Sequence, residues 1–312
     1  MPPANVPDQA PIQRRRTGRA LWRQARAAGL SRYQSLHGLV YMRWPFAYIG
    51  AAIGERPFLR LKRLLLAPFL LRGMWPQRWA EEYHGKVLTT AAATRLLTVH
   101  EAVDVQLSEQ VIPFESARRL VLSGSGPFVV LDCPCRLARE HPCQPLDVCL
   151  IIGEPFASFV LTHHPGRARQ IRREEAVSIV EAEASRGHVH HAFFKQAALG
   201  RFYALCNCCS CCCGAISGHL HGTPMLISSG YIARVDPERC AQCGTCVGRC
   251  PFGALELQGS AHVDTSRCMG CGVCTRVCPH GALSLERDAI KPEPLDVSAL
   301  PLPDPMARAT GV

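Results

Sequence analysis

The chain has 312 residues, of which 47% are hydrophobic, and a formal net charge of +10. This hydrophobic content supports a folded core and excludes a disordered chain. The chain contains eighteen cysteines. Two classes of protein use cysteine this heavily, namely secreted disulfide scaffolds and intracellular metal or iron–sulfur proteins. The first sixteen residues contain no apolar run suited to a signal peptide, so we expect a reducing, cytoplasmic compartment.

The N-terminal region, residues 1–85, is predicted to be basic, disordered over residues 1–16 and helical beyond them. Residues 1–80 contain fourteen Arg and Lys against Asp8 and Glu55. Because the positive charge is concentrated here, the net charge of the whole chain does not indicate nucleic-acid binding, and no nucleic-acid partner is expected.

Two apolar blocks, residues 39–54 and 64–75, lie within this region. Arginine and proline interrupt both, and both are shorter than a membrane-spanning helix. One interpretation is a helical subdomain packed on the rest of the fold. The alternative is that residues 14–78 dock peripherally on the inner face of a membrane or on an acidic protein. In that case the side chains facing the anionic surface are those of Arg56, Arg60, Lys62 and Arg63.

Residues 86–230 are predicted to be a mixed α/β, cysteine-rich domain. Residues 113–121 have helical spacing and are followed by the Gly-containing stop at 123–126. Residues 128–131 predict a buried strand that leads into the first cysteines. Residues 174–182 predict a helix that ends near Gly187.

Residues 231–290 contain two copies of the motif C-x2-C-x2-C-x3-C-P, and corresponding cysteines are 28 residues apart. The match extends to Val235-Asp236 and Val263-Asp264, so this is an internal repeat. The cysteines are Cys240, Cys243, Cys246 and Cys250 in the first copy, and Cys268, Cys271, Cys274 and Cys278 in the second. A zinc site has similar C-x2-C spacing, but zinc motifs do not usually carry this eight-cysteine repeat with both prolines.

Three thiolates two residues apart in a tight turn can reach three irons of one cubane, and in the bacterial pattern the fourth cysteine ligates the other cluster. One predicted ligand set is therefore Cys240, Cys243, Cys246 and Cys278, and the other is Cys268, Cys271, Cys274 and Cys250. Residues 231–287 resemble a bacterial two-cluster [4Fe-4S] ferredoxin domain at all eight ligand positions. The resemblance implies two [4Fe-4S] clusters and a small α+β unit with paired strands at Tyr231–Val235 and Leu283–Glu286.

Ten cysteines lie upstream of the repeat. Four follow the predicted strand at 128–131, and six are crowded into eight residues; they are Cys133, Cys135, Cys143 and Cys149, then Cys206, Cys208, Cys209, Cys211, Cys212 and Cys213. The first four can by themselves supply one further iron–sulfur cluster or a zinc site. A loop as crowded as the second group can present two or three thiols to one site and the rest to another. Nearby histidines are candidate ligands or proton donors at such a site, and Arg136 is a candidate for lowering a thiol pKa or balancing the charge of an anionic cluster. The alternative is that all of them are ordinary surface residues.

The order of segments over residues 110–290 resembles a group of poorly characterised bacterial 4Fe-4S binding proteins with a cysteine-rich domain ahead of the ferredoxin. The motifs behind this resemblance are Cys133-Pro134-Cys135-Arg136, Pro145–Cys149, Gly187–His190 and the run Cys206–Cys213. The resemblance implies a metal or redox site in the upstream domain, but it does not indicate a substrate. Cys212-Cys213-Gly214 is also similar to the CCG element of heterodisulfide-reductase-type subunits, although the rest of that pattern is absent.

The sequence predicts an α+β protein in which a bacterial two-cluster ferredoxin-like module follows a mixed α/β cysteine-rich domain and a basic helical N-terminal region. Residues 291–312 are predicted to be a Pro-rich tail. The favoured function is electron transfer between redox partner proteins, or from them to the upstream cysteine site. Two alternatives remain: an oxidoreductase whose catalytic site lies in the cysteine-rich domain, and a redox or metal sensor.

Overall fold

The computed structural model describes residues 10–54, 76–124 and 126–299. Within these residues, one mixed nine-stranded sheet lies between helices, and two small two-stranded sheets carry the cysteine repeat. The protein is therefore α+β, as the sequence predicts. The second apolar block, residues 64–75, and the basic residues at 56–63 lie outside the described ranges.

The helices and strands follow in chain order. The helices are α1 (Ala10–Ala27), α2 (Arg32–Arg43), α3 (Pro45–Ile53), α4 (Pro76–Glu82), α5 (Thr90–Thr98), α6 (Pro134–Leu137), α7 (Phe156–His163), α8 (Arg173–Ser185), α9 (Gly214–Leu220) and α10 (Val273–Val277). The strands are β1 (Tyr83–Leu88), β2 (Val103–Gln106), β3 (Arg119–Leu122), β4 (Phe128–Asp132), β5 (Asp147–Ile152), β6 (Ala168–Ile171), β7 (Val189–Lys195), β8 (Arg201–Cys208), β9 (Leu226–Ile227), β10 (Tyr231–Val235), β11 (Leu255–Gln258), β12 (Ser260–Val263) and β13 (Leu283–Arg287). A 3₁₀ turn covers Val297–Ala299.

The N-terminal helices pack on the cysteine-rich domain. Helix α1 buries Leu21 and Ala25 and lies against α7. A capping box at Ser31 begins α2. Gly38 lets α2 approach the chain closely, because a Cβ there would lie 2.1 Å from the carbonyl oxygen of Ala197. The expectation of disorder over residues 1–16 is wrong from Ala10 onward, since α1 begins there.

No helix in the described ranges is long and apolar enough to cross a membrane. For the first apolar block the reason is visible in the fold, because residues 39–54 are divided between α2 and α3 at Trp44. Both helices contribute side chains to the interior of the domain.

The large sheet has the strand order β6-β4-β5-β8-β7-β1-β9, with β2 and β3 attached beside β8. Its pairings are antiparallel except for β1 with β9 and β3 with β8. Because side chains alternate between the faces of a strand, each face carries its own apolar core. One core includes Leu131, Ile151 and Ala204, and the other includes Val130, Leu150 and Leu205.

Three predicted elements of this domain can be compared with the structure. The strand at 128–131 and the helix at 174–182 are confirmed as β4 and α8. The helix predicted over residues 113–121 is wrong, because this segment ends in β3. The side chains of Leu120 and Leu122 are buried while Arg119 is exposed, so the apolar period here is two and not 3.6.

The cysteine repeat folds into two hairpin-like pairs, β10 with β13 and β11 with β12. The strands predicted at Tyr231–Val235 and Leu283–Glu286 are confirmed, and they pair with each other. Part of the segment expected to be a tail packs on the large sheet instead. Leu295 and Val297 are buried, and the Nζ atom of Lys86 donates to the carbonyl oxygen of Glu293 at 2.6 Å.

Candidate metal centres

The eight cysteines of the repeat surround two small pockets. Cys240, Cys243, Cys246 and Cys278 line one, which we call the outer pocket. Cys250, Cys268, Cys271 and Cys274 line the other, the inner pocket. Each pocket thus combines three cysteines of one copy with the fourth cysteine of the other copy.

Backbone amides donate to several of these thiols. The amide of Ala254 donates to Cys250 Sγ at 3.3 Å, and the amide of Ala282, its counterpart in the repeat, donates to Cys278 Sγ at the same distance. The amide of Ala233 donates to Cys268 Sγ at 3.4 Å. Such donors stabilise negative charge on thiolate sulfur, so the chemistry of the pockets fits anionic iron–sulfur clusters.

The two pockets differ in exposure. The thiol of Cys243 is exposed at the outer pocket, and the hydroxyl of Thr245 lowers its pKa. At the inner pocket, burial raises the pKa of Cys274 to about 12 and raises that of Cys271 further. Buried thiols of this kind release their protons when a metal binds. The inner pocket is therefore the one shielded from water.

Gly270 allows the chain to fold tightly beside the inner pocket. Its φ is +64°, and a Cβ at this position would lie 2.1 Å from the carbonyl oxygen of Tyr231. Both observations require glycine here.

The upstream cysteines converge on one face of the large sheet. Cys149 on β5 and Cys206 on β8 are cross-strand partners, and Cys208 pairs with Val189 on β7. Cys133 follows the end of β4, two residues after Leu131, which faces the same core. Strand alternation thus brings distant cysteines together on one surface.

Six of these thiols form a chain of neighbours, which we call the buried six: Cys133, Cys135, Cys149, Cys206, Cys208 and Cys213. Four of them are buried, and Cys135 and Cys206 are half-buried. Each thiol interacts with its neighbours: Cys206 with Cys149, Cys149 with Cys133, Cys133 with Cys135, Cys135 with Cys213, and Cys213 with Cys208. Interaction with the thiols of Cys135 and Cys149 lowers the pKa of Cys133 well below its usual value. All six line a cavity of about 80 Å³.

The other four upstream thiols form a second group, which we call the tight four. Cys143, Cys209, Cys211 and Cys212 place their Sγ atoms within 4.8 Å of one another. The Sγ atoms of Cys143 and Cys211 are 2.9 Å apart, and those of Cys211 and Cys212 are 3.7 Å apart. Cys209 and Cys212 also line the cavity, so the two groups meet at its wall.

The structure therefore divides the sequence-predicted set of Cys133, Cys135, Cys143 and Cys149. Cys143 lies in the loop between α6 and β5 and joins the tight four, while the other three belong to the buried six. The run 206–213 is also divided, three thiols to each group. Cys206 and Cys208 lie on one face of β8, whereas Cys209, Cys211 and Cys212 follow in the turn.

A buried ion pair lies at the cavity, whose wall includes Arg136. Arg136 donates to Glu183 at 2.5 Å and to the carbonyl oxygen of Asn207, between Cys206 and Cys208, at 3.2 Å. Although burial acts to raise the pKa of Glu183, hydrogen bonds from His188 and Arg136 lower it. Arg136 is thus buried beside the thiols, and the sequence-based alternative of a surface arginine is wrong.

The upstream histidines are not part of the tight four, which contains cysteines alone. His190 is hydrogen-bonded to the side chain of Asn207 at 2.7 Å. Burial lowers the pKa of His191 to about 3, and neither of its ring nitrogens has a hydrogen-bond partner among the described residues. His188 is within hydrogen-bond distance of both Glu183 and Arg136.

Three tyrosines, two of them buried and Tyr83 half-buried, complete the cavity wall, and no sequence motif indicates them. Tyr41, Tyr83 and Tyr203 line the cavity, and the hydroxyls of Tyr41 and Tyr203 are 2.8 Å apart. The ammonium of Lys195 lies 4.6 Å from the ring centroid of Tyr41 and 4.7 Å from that of Tyr83. Burial lowers the pKa of Lys195 to about 8. No local pattern signals this set, because α2, β1, β7 and β8 each contribute one residue.

The inner pocket adjoins the cysteine-rich domain. Phe252, Met269 and Val273 belong to the same apolar core as Cys133 and Cys208, and Cys250 and Cys271 pack against that core. The side chain of Arg276 on α10 also pairs with Glu181 on α8 at 2.9 Å. The repeat and the large sheet are thus joined on the side of the inner pocket.

Residues 233–285 match the family described as a 4Fe-4S dicluster domain, which confirms the ferredoxin resemblance for this segment. The match contains all eight cysteines of the repeat and none of the ten upstream. A search of curated proteins gave no significant match. A search of solved structures gave none either. The protein therefore contains an iron–sulfur domain, and the upstream centres rest on geometry alone.

Proposed function

We propose that this protein is an electron carrier that connects an external redox partner with a third iron–sulfur centre held by the buried six. The dicluster domain supports the first part of this proposal. The single observation that carries the second part is the shared core, in which Cys250 and Cys271 of the inner pocket pack against the apolar cluster that contains Cys133, Cys149, Cys208 and Cys213.

The two pockets of the repeat are the proposed cluster sites. Cys240, Cys243, Cys246 and Cys278 would hold one [4Fe-4S] cluster, and Cys250, Cys268, Cys271 and Cys274 would hold the other. Bound clusters of this type supply one-electron chemistry. The chain's own contribution is to hold them with thiolates and amide donors, and to bury the inner site against the cavity.

The outer pocket is the proposed side of contact with a redox partner, because Cys243 is exposed there. Helix α1 carries positive charge that would attract such a partner. It has no acidic residue, and its exposed arginines are Arg15, Arg16, Arg19, Arg23 and Arg26. A cationic face of this kind accelerates association with acidic proteins and with anionic membrane surfaces. Of these two, we favour an acidic redox protein of the cytoplasm as the partner.

A reductive titration tests the proposal. Anaerobically purified protein should take up more than two electrons per chain, because the two dicluster centres take about one each. Cys208→Ala should reduce the uptake to about two electrons and leave the dicluster signals unchanged. Ser210→Ala, a change in the same turn at an exposed residue that is not a thiol, is the matched control. An uptake of two electrons in the wild-type protein would contradict a redox-active cavity.

A second candidate function is an oxidoreductase with its active site at the cavity. The observation that favours it is a set of proton-bearing groups at the cavity, namely the Tyr41–Tyr203 hydroxyl pair in its wall with Lys195 nearby. Reduction of a small molecule consumes protons as well as electrons, and these groups are placed to supply them. This candidate predicts that the reduced protein consumes a small oxidised substrate with multiple turnovers. Cys208→Ala should abolish that turnover, whereas a protein that only carries electrons shows none.

A further inference from the structure

The tight four differs from every other thiol group in the described residues by its compactness. It is the only set of three or more His, Cys, Asp or Glu ligand atoms in the described ranges that lie within 4.8 Å of one another. Neither pocket of the dicluster domain meets this criterion, although each is lined by four thiols. In a cubane each thiolate binds a separate iron, so cubane ligands are spread more widely than the ligands of one ion.

The spacing suits a single ion. A tetrahedral ion with metal–sulfur bonds of about 2.3 Å holds its sulfur ligands roughly 3.8 Å apart. The Cys211–Cys212 pair of the tight four matches this spacing at 3.7 Å, and no pair is separated by more than 4.8 Å. The Sγ atoms of Cys143 and Cys211, 2.9 Å apart, would move apart by about 0.9 Å to hold the ion. Four thiolates fill all tetrahedral positions, which is the composition of a structural site and leaves no open position for a substrate.

The chain connectivity gives such an ion a clear structural role. Cys143 comes from the loop before β5, and the other three ligands come from the turn after β8, where Cys211 is 68 residues further along the chain. Arg139 fixes the same turn by donating to the carbonyl oxygen of Cys212 at 3.2 Å, and it also donates to the carbonyl oxygen of Ile53 on α3 at 3.3 Å. Since Cys209 and Cys212 line the cavity, an ion here would join two loops into its wall.

We propose that Cys143, Cys209, Cys211 and Cys212 bind one tetrahedral divalent transition-metal ion, zinc or iron, separate from the clusters and from the buried six. The ion ties the loop before β5 to the turn after β8 and closes one wall of the cavity. This inference rests on the geometry of the four thiols and does not require the proposed electron transfer.

The test is a metal count on full-length protein that has been purified without oxygen. Cys211→Ser should lower the metal content by one ion per chain and leave the acid-labile sulfide unchanged. Ser210→Ala, the neighbouring exposed change, should keep the wild-type count. Zinc analysis and Mössbauer spectroscopy distinguish the two metals, because iron at this site would give the spectrum of an isolated tetrathiolate iron. Loss of several irons together with sulfide would overturn the proposal in favour of a cluster, and an unchanged count would overturn it outright.

If zinc occupies the site, X-ray absorption on the wild-type protein gives a second test that needs no variant. For zinc, the expected result is a shell of four sulfurs at about 2.3 Å and no metal neighbour. A shell that contains nitrogen or oxygen, or a nearby second metal, would contradict the four-thiolate assignment. If iron occupies the site, the Cys211→Ser difference spectrum replaces the zinc-edge measurement, with the same two outcomes.

Discussion

Arg136 and Glu183 form a buried ion pair, 2.5 Å between guanidinium nitrogen and carboxylate oxygen, and Arg136 is part of the wall of the cysteine-lined cavity. The same guanidinium donates to the backbone between Cys206 and Cys208. A charge buried in this way is stable only while its partner is present. The pair therefore couples the position of two cavity cysteines to helix α8.

Replacement of Arg136 should be strongly destabilising. Arg136→Met leaves the Glu183 carboxylate buried without its main partner, which is expected to lower the free energy of unfolding by about 3 kcal/mol or more. Arg186→Met is the matched control, because Arg186 contacts the same carboxylate at 2.8 Å from a half-exposed position. Its expected cost is below about 1 kcal/mol. Chemical denaturation measures both, and equal costs would contradict the role assigned to burial.

The Tyr41–Tyr203 hydroxyl pair should show coupling. Tyr41→Phe leaves the hydroxyl of Tyr203 with one partner fewer in a buried site, at an expected cost of about 1–3 kcal/mol. The double variant with Tyr203→Phe should cost less than the sum of the two single variants, because no orphaned hydroxyl of the pair remains. Tyr33→Phe, at an exposed tyrosine, should change stability by less than about 0.5 kcal/mol. Strict additivity in a double-mutant cycle would show that the hydroxyls do not interact.

Equivalent substitutions in the two copies of the repeat should affect different centres. Cys278→Ala is expected to perturb the exposed outer centre and leave the inner one intact, and Cys250→Ala is expected to do the reverse. Electron paramagnetic resonance with a water-soluble relaxation agent measures the exposure of the surviving centre. The surviving signal should be shielded in Cys278→Ala and accessible in Cys250→Ala. The opposite pattern would mean that each copy ligates its own cluster.

His84 should make the protein sensitive to mild acid. Burial lowers its pKa to about 4, and its ring packs between Phe114 and Phe194. Between pH 6.5 and 4 the unfolded chain binds a proton that the folded chain does not, so stability falls as pH falls through this range. From pH 7 to 5 this one group should cost about 2 kcal/mol. His84→Phe should lose correspondingly less stability over the same interval, whereas parallel pH profiles would exclude the effect.

The sequence predicted the parts of this protein that local spacing determines. The repeat places each cysteine 28 residues from its counterpart, and the ferredoxin resemblance based on that repeat implies the paired strands at Tyr231–Val235 and Leu283–Glu286. The helix predicted at 113–121 is wrong because a short segment can match both the helical and the strand period of apolar residues. Only its pairing with β2 decides between the two.

The upstream site depends on tertiary contacts that no local pattern records. Proximity in the sequence places Cys143 with Cys133, Cys135 and Cys149, but its Sγ atom lies 2.9 Å from that of Cys211 in a distant turn. Tyr41 lies in a region interpreted from its charge, and it reaches the cavity through a contact with Tyr203, 162 residues away. The crowding of cysteines at 206–213 did indicate a division between two sites, but the assignment of each thiol required the end of β8 to be known.

The most direct test of the central claim is the amount of iron and acid-labile sulfide per chain in protein prepared without oxygen, with zinc counted in the same sample. Two [4Fe-4S] clusters account for about eight irons. A third centre in the buried six predicts about twelve irons or more, with sulfide rising in step. About eight irons and eight sulfides would contradict that centre and would leave the cavity cysteines as thiols.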